Sequence, residues 1–196
     1  MTMYCSQISQ DYIISHLLDL RMHGTFVDVG CWRPIRFNNT YFLESRLHWT
    51  GINIDRREEL KSSWMRKRRN STLIIEDALE LDFLKTFKEN NLPQVIDYLS
   101  IDLETPKATL EVFKRIPLDK YSFNIITFEH DGYWRGREWT DHTRSHITSL
   151  GYQLLFNLRN QDDVYIHESM EKPSNDKINK ILTSLPPKYS EIINVL

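Results

Sequence analysis

The sequence predicts an α/β protein with a mostly parallel sheet and helices on both faces. Three observations carry this expectation. Short β-type apolar runs alternate with longer stretches of helical spacing, the pattern of α/β units wound around a parallel sheet. The runs are near-continuous rather than alternating, as in strands covered on both faces. Each also ends in a carboxylate or in an Asp-Val-Gly turn, and an open α/β sheet gathers such strand ends on the rim where ligands bind. At 196 residues the chain can bury one sizeable core. One domain is expected, with an N-terminal helix over 1–24, a core over 25–168 and a C-terminal helix and tail over 169–196.

In chain order, "DYIISHLLDLRM" has helical spacing and leads into "TFVDVG", the first strand, which closes on Asp28 and Gly30. "GINID" is the second strand, ending at Asp55, and the helix "LKSSWMRKRR" follows it. "TLIIED" is the third, with Asp77 at its end, and "LELDFLKTFKEN" is a helix stopped near Asn91. "VIDYLSID" is the fourth, ending at Asp102, before the helix "KATLEVFKRI"; "FNIITFE" is the fifth, ending at Glu129. "DHTRSHITSL" is a helix that Gly151 terminates. "YQLLFNL" and "DVYIHE" form an antiparallel pair across "RNQDD", whose Asn and Asp favour a turn, which brings the strands to seven. "KPSNDKINKILTSLPP" is a last helix, stopped by Pro186 and Pro187.

Composition narrows the function classes. A net charge of −2 gives no global attraction to nucleic acid or anionic membrane, so a nucleic-acid partner is not expected. No apolar run approaches the roughly 20 residues that span a bilayer, so no membrane partner is expected either. Cys5 and Cys31 make neither a disulfide framework nor a metal-type pair, and the start of the chain lacks the pattern of a signal peptide; a cytoplasmic protein is expected. The basic cluster "MRKRRN", 65–70, reads as a solvated helix end. His142 and His146 stand one helical turn apart without an acid motif and read as structural.

The strand-end acids are the candidate chemistry. Asp28, Asp55 and Asp77 suit a nucleoside, because a carboxylate can accept both ribose hydroxyls and a further acceptor can read an exocyclic amine. Asp55 also suits an N-cap or a surface acid, and Asp77 a helix cap. Asp102 and Glu104 close the fourth strand, and Glu129, His130 and Asp131 the fifth; carboxylates from adjacent strand ends can hold a hard cation or orient a base. The loop "DGYWRGREW" offers Tyr133, Trp134, Arg135, Arg137 and Trp139 either as a substrate surface or as a lid packed on the sheet.

"GTFVDVG", "FNNTYFLE", "WTGINID", "IDYLSIDLE", "LDKYSFNIITFEH", "GYQLL" and "DDVYIH" fall in the order found in the FkbM family of S-adenosylmethionine-dependent methyltransferases, which the chain resembles over about residues 6 to 168. The resemblance implies a Rossmann-like seven-stranded methyltransferase sheet, mostly parallel with an antiparallel last strand. It implies that Asp28, Gly30, Asn39 and Thr40 surround the methionine part of S-adenosylmethionine, that Asp55 takes the ribose, and that Asp77 and Ala78 meet the adenine. It implies O-methylation of a sugar, glycan or glycosylated small molecule, with Asp102, Glu104, Glu129 and His130 around the acceptor, joined by the Tyr133, Trp134 and Arg135 loop. His130 would be the base, or Mg²⁺ between Asp102 and Glu129 would lower the hydroxyl pKa. The chain has "DLETP" at 102–106 where many members have "DVEG". A glycine there permits backbone angles that Thr105 resists, which motivates an alternative, a catalytically silent binding module. A homodimer is the assembly entertained.

Overall fold

The computed structural model describes residues 4–67, 70–130 and 137–186. Seven strands form one sheet in the order β3-β2-β1-β4-β5-β7-β6. They are β1 (Thr25–Val29), β2 (Thr50–Asp55), β3 (Thr72–Ile75), β4 (Val95–Ile101), β5 (Ser122–Glu129), β6 (Tyr152–Leu158) and β7 (Asp162–His167). The first five are parallel, and β7 runs antiparallel to both β5 and β6. The expected seven-stranded Rossmann-like sheet is present. β1 pairs with β2 on one side and β4 on the other, so the chain order reverses there and a crevice opens beyond the strand ends.

The helices are α1 (Gln10–Leu17), α2 (Tyr41–Leu47), α3 (Leu60–Lys67), α4 (Phe83–Glu89), α5 (Pro106–Phe113), α6 (Arg137–Thr148) and α7 (Asn175–Thr183). Two apolar cores sandwich the sheet. Val27, Val29, Ile52 and Ile54 face Phe83 and Phe87 of α4 and Leu110 and Phe113 of α5. Phe26, Tyr98 and Ile125 face Ile13 and Ile14 of α1, Phe42 and Leu43 of α2, and Trp49. Each fully buried side chain of this size contributes about 1.5–3 kcal/mol. Among the described residues no helix is long and apolar enough to cross a membrane.

Several boundaries depart from the sequence expectation. α1 stops at Leu17, because Asp19 and Leu20 adopt left-handed angles (φ 52° and 54°). α2 has no counterpart in the periodicity reading; it is one short helix between two strands, with Phe42, Leu43 and Leu47 buried. The β6–β7 turn carries Arg159 and Asn160 at φ 57° and 55°, the mirror-image geometry that suits a tight hairpin. Thr105 is extended (φ −137°), and its side chain accepts a hydrogen bond from the Ala108 amide, with Pro106 in the first turn of α5. "DLETP" is therefore a capped helix start that asks for no glycine angle.

Candidate active site

The crevice is built around Gly30. At φ +84° it turns the chain out of β1, and a β-carbon there would lie 1.7 Å from the Asp102 carbonyl oxygen. Only glycine lets the ends of β1 and β4 approach this closely. Gly30 and Cys31 both donate their amides to Ile54 O (2.9 and 3.2 Å), and the Asp102 amide donates to Val29 O (3.0 Å), which stitches the three strand ends together.

Behind the turn, Asp28 is buried, and one of its oxygens accepts from Thr40 Oγ1 (2.9 Å) and Asn38 Nδ2 (3.3 Å). Asn38 Nδ2 also reaches Cys31 O (2.9 Å), and Asn39 Nδ2 donates to Ser100 Oγ (2.9 Å). Asn38 thus ties both ends of the loop together, a role the sequence does not display because its two partners lie seven and ten residues back.

Two adjoining hollows open from this turn. One, about 240 Å³, has Ile54, Ala78, Leu103 and Ala108 as apolar walls, with Asp55 and Asp77 at its edge. The other, about 230 Å³, is bounded by Asp28, Asn39, Glu129, Trp32, Phe37 and, from the N-terminal segment, Gln7. Gly30, Arg57, Asp102, Leu103 and Glu104 border both, so the two halves form one cleft. Six of the strand-end acids named from the sequence, Asp28, Asp55, Asp77, Asp102, Glu104 and Glu129, converge on it.

Asp55 is the hub of the middle. The Arg57 guanidinium grips it as a fork, Nε to Oδ1 at 2.8 Å and Nη2 to Oδ2 at 2.7 Å. The amides of Arg57 and Trp32 donate to it as well, each at 3.0 Å. Burial alone would raise this carboxyl, but the four donors outweigh it and hold Asp55 below the ordinary carboxylate range. Across the first half of the cleft, Arg56 Nη2 meets Glu104 Oε2 at 2.7 Å. That pair is exposed and contributes little to stability. Asp77 lines the cleft and also accepts from the Leu79 amide at 2.9 Å, so it serves as a turn cap too.

The domain described as "Methyltransferase FkbM domain" matches residues 36–154. The chain belongs to the FkbM methyltransferase family. It is an S-adenosylmethionine-dependent methyltransferase. No curated protein matches this FkbM methyltransferase in sequence. Its fold is similar to that of a candidate rRNA methylase from Clostridium thermocellum (TM-score 0.55, 14% identity, 84% of this chain and 97% of that one). It is also similar to the plantazolicin methyltransferase BpumL in complex with S-adenosylhomocysteine (0.52, 14%, 92% and 79%). A third is the Aeropyrum pernix fibrillarin with natively bound S-adenosylmethionine (0.50, 15%, 80% and 76%).

Two expected site residues of the FkbM methyltransferase lie behind the cleft wall. Thr40 is fully buried and holds Asp28, Asn38 and Asn53 together. His130 is fully buried too, its Nε2 lying 2.9 Å from Asn157 Nδ2 and 3.3 Å from Asp163 Oδ1. A base at that nitrogen would have to leave its partners to meet an acceptor. Asp163, which the sequence reading passed over, is gripped by Arg144 through Nε (2.6 Å) and Nη2 (2.8 Å). Burial pushes the Asp163 carboxyl up, but hydrogen bonds from Arg144, His130 and Asn157 overcome it and leave it far below the usual range. Among the described residues no group of three or more His, Cys, Asp and Glu side chains could hold a metal ion. Asp131, Tyr133, Trp134 and Arg135 lie outside the described residues, as do Arg68 and Arg69 of the basic cluster.

Proposed function

We propose that the protein transfers a methyl group from S-adenosylmethionine to a hydroxyl of a sugar, glycan or glycosylated small molecule. The observation that carries this reading is the continuity of the cleft across Gly30 and Asp102, with an apolar slot at one end and carboxylates at the other. The residues fit the cofactor. A flat base suits the walls made by Ile54, Ala78, Leu103 and Ala108, with Asp77 as acceptor at the edge. Asp55, at the first hollow, would take the ribose hydroxyls, and Asp28, Gly30 and Asn39 border the half that would take the aminoacyl end. When bound, S-adenosylmethionine supplies an electrophilic methyl on a sulfonium.

The chain's own contribution is then alignment, which is the larger part of such a displacement. Asp102 and Glu129 border the second half, where an acceptor hydroxyl can donate to a carboxylate and pass on its proton. His130 acts as a positioning residue that fixes the end of β5 through Asn157 and Asp163. Asp102 and Glu129 belong to no group of three or more metal-type side chains among the described residues, so the reading gives Mg²⁺ no step. Calorimetry with S-adenosylhomocysteine tests the proposal; absence of binding, or no methylation of any hydroxylated acceptor by a protein that binds it, overturns it.

A second reading, a silent binding module, draws support from the Arg57 fork, because a ribose must compete with it for Asp55. Arg57→Ala separates the two. Tighter cofactor binding accompanied by turnover favours the enzyme, and binding without turnover favours the module.

A further inference from the structure

We infer that the loop joining β1 to α2 is a phosphate-binding platform, and that the acceptor is a phosphorylated sugar. This rests on the methyltransferase reading above and narrows its substrate class. Trp32 and Phe37 stack at 5.8 Å between ring centroids and 21° between planes, and both border the second hollow, beside the groups read above as holding the aminoacyl end and the acceptor hydroxyl. Each ring carries an arginine on it. The Arg33 guanidinium carbon lies 4.3 Å from the Trp32 centroid and the Arg36 carbon 4.6 Å from that of Phe37. Both arginines are exposed, and neither has a carboxylate partner among the described residues. A guanidinium over an aromatic ring is attracted by the ring's face and still has N–H donors to offer a planar or tetrahedral oxyanion.

The rings are held there by the rest of the site. Trp32 and Phe37 both occupy the left-handed region, φ 45° and 59°, which bulky aromatic residues avoid. The Trp32 amide is tied to Asp55 (3.0 Å), and its carbonyl accepts from the Trp64 indole (3.0 Å). Strained backbone that is fixed from several sides is characteristic of binding loops. Two positive charges on one stacked pair, without a carboxylate partner among the described residues, match the dianion of a phosphate monoester. The carboxylates of Asp102 and Glu129, which border the same hollow, suit a hydroxyl and repel an anion, so a phosphosugar would set its hydroxyl toward them and its phosphate toward Arg33 and Arg36. RNA, the other common phosphate-bearing acceptor, fits less well, because the chain's net charge is −2.

The test titrates glucose 1-phosphate, glucose 6-phosphate, inorganic pyrophosphate and neutral glucose into protein saturated with S-adenosylhomocysteine, alongside a single-stranded RNA oligomer. The expected result is binding of the phosphorylated probes and not of glucose, weakened about tenfold or more by Arg33→Ala with Arg36→Ala. A double lysine variant should recover part of the loss by charge alone. Affinity for S-adenosylhomocysteine, read on the same samples, should stay within about twofold and confirms that the variants fold. Equal binding of glucose and its phosphates, an unaffected double alanine variant, or retention of RNA alone overturns the inference and leaves the methyltransferase reading intact. Failure to bind S-adenosylhomocysteine defeats the earlier reading instead; the phosphate titrations on the free protein then decide the platform by the same criteria.

Discussion

Asp55 accepts four hydrogen bonds, two of them from a side chain only two residues further on, so its role depends on what Arg57 does. Replacing Asp55 by alanine should abolish S-adenosylhomocysteine binding in calorimetry and release the Trp32 backbone. Replacing Arg57 should have the opposite sign. With the fork gone, the carboxylate meets the ribose without competition, and affinity should rise by about tenfold, the scale of one charge-assisted hydrogen bond on a partly exposed group. At Gly30 an alanine would meet both the +84° backbone angle and the Asp102 carbonyl, so Gly30→Ala should cost more than about 2 kcal/mol by chemical denaturation. Asp55 and Gly30 are legible in the sequence through their place at strand ends, where an open α/β sheet gathers its ligand-binding groups. Arg57 and Asn38 are not, because which side chain folds back on which carboxylate depends on turn geometry that spacing does not encode.

At the scale of elements, the sequence displays the strands well, since near-continuous apolar runs leave few alternatives. It displays the short helices poorly, and α2, at seven residues, carries too little periodicity to announce itself. The Asp163 network is hidden for another reason. "RNQDD" reads as a turn, yet Asp163 lies buried beside His130 and is fastened by Arg144 of α6. Arg144→Ala would leave a buried carboxylate half-paired and should destabilise the protein by about 3 kcal/mol. Because the folded pKa of Asp163 is depressed, its contribution is present above the ordinary carboxylate range and is lost as pH falls through the folded value. The gap in melting temperature between wild type and Asp163→Asn should therefore be widest at neutral pH and narrow in acid.

Over the whole molecule, the N-terminal segment is pinned by one buried acid. Asp11 accepts from the Cys5 and Ser6 amides, the Ser6 hydroxyl and its neighbour's amide. Burial raises its carboxyl, and these hydrogen bonds only partly offset the rise, leaving it at about 6. Between the ordinary value of 3.8 and about 6, the folded chain keeps a proton that the unfolded chain has released. Rising pH therefore lowers stability across that window, by up to about 3 kcal/mol. Asp11→Asn should remove this slope, so its melting temperature should gain on wild type as pH climbs from about 4 to about 6.

The same segment carries Gln7 to the cleft, and it is anchored from far away: Gln10 Nε2 donates to Asp162 Oδ2 at 3.0 Å, across 152 positions. α1 also lies against α7, with Lys177 Nζ on Leu17 O at 3.0 Å. On a ribosome, α1 has its apolar partners in β1 and α2 early, but the Gln10 anchor forms only once β7, the last strand, is present. β5 likewise has an open edge until β7 arrives to pair with it. The wall formed by Gln7 is among the last parts to settle, so an assembled cleft would be a sign that synthesis of this domain has run through its closing hairpin.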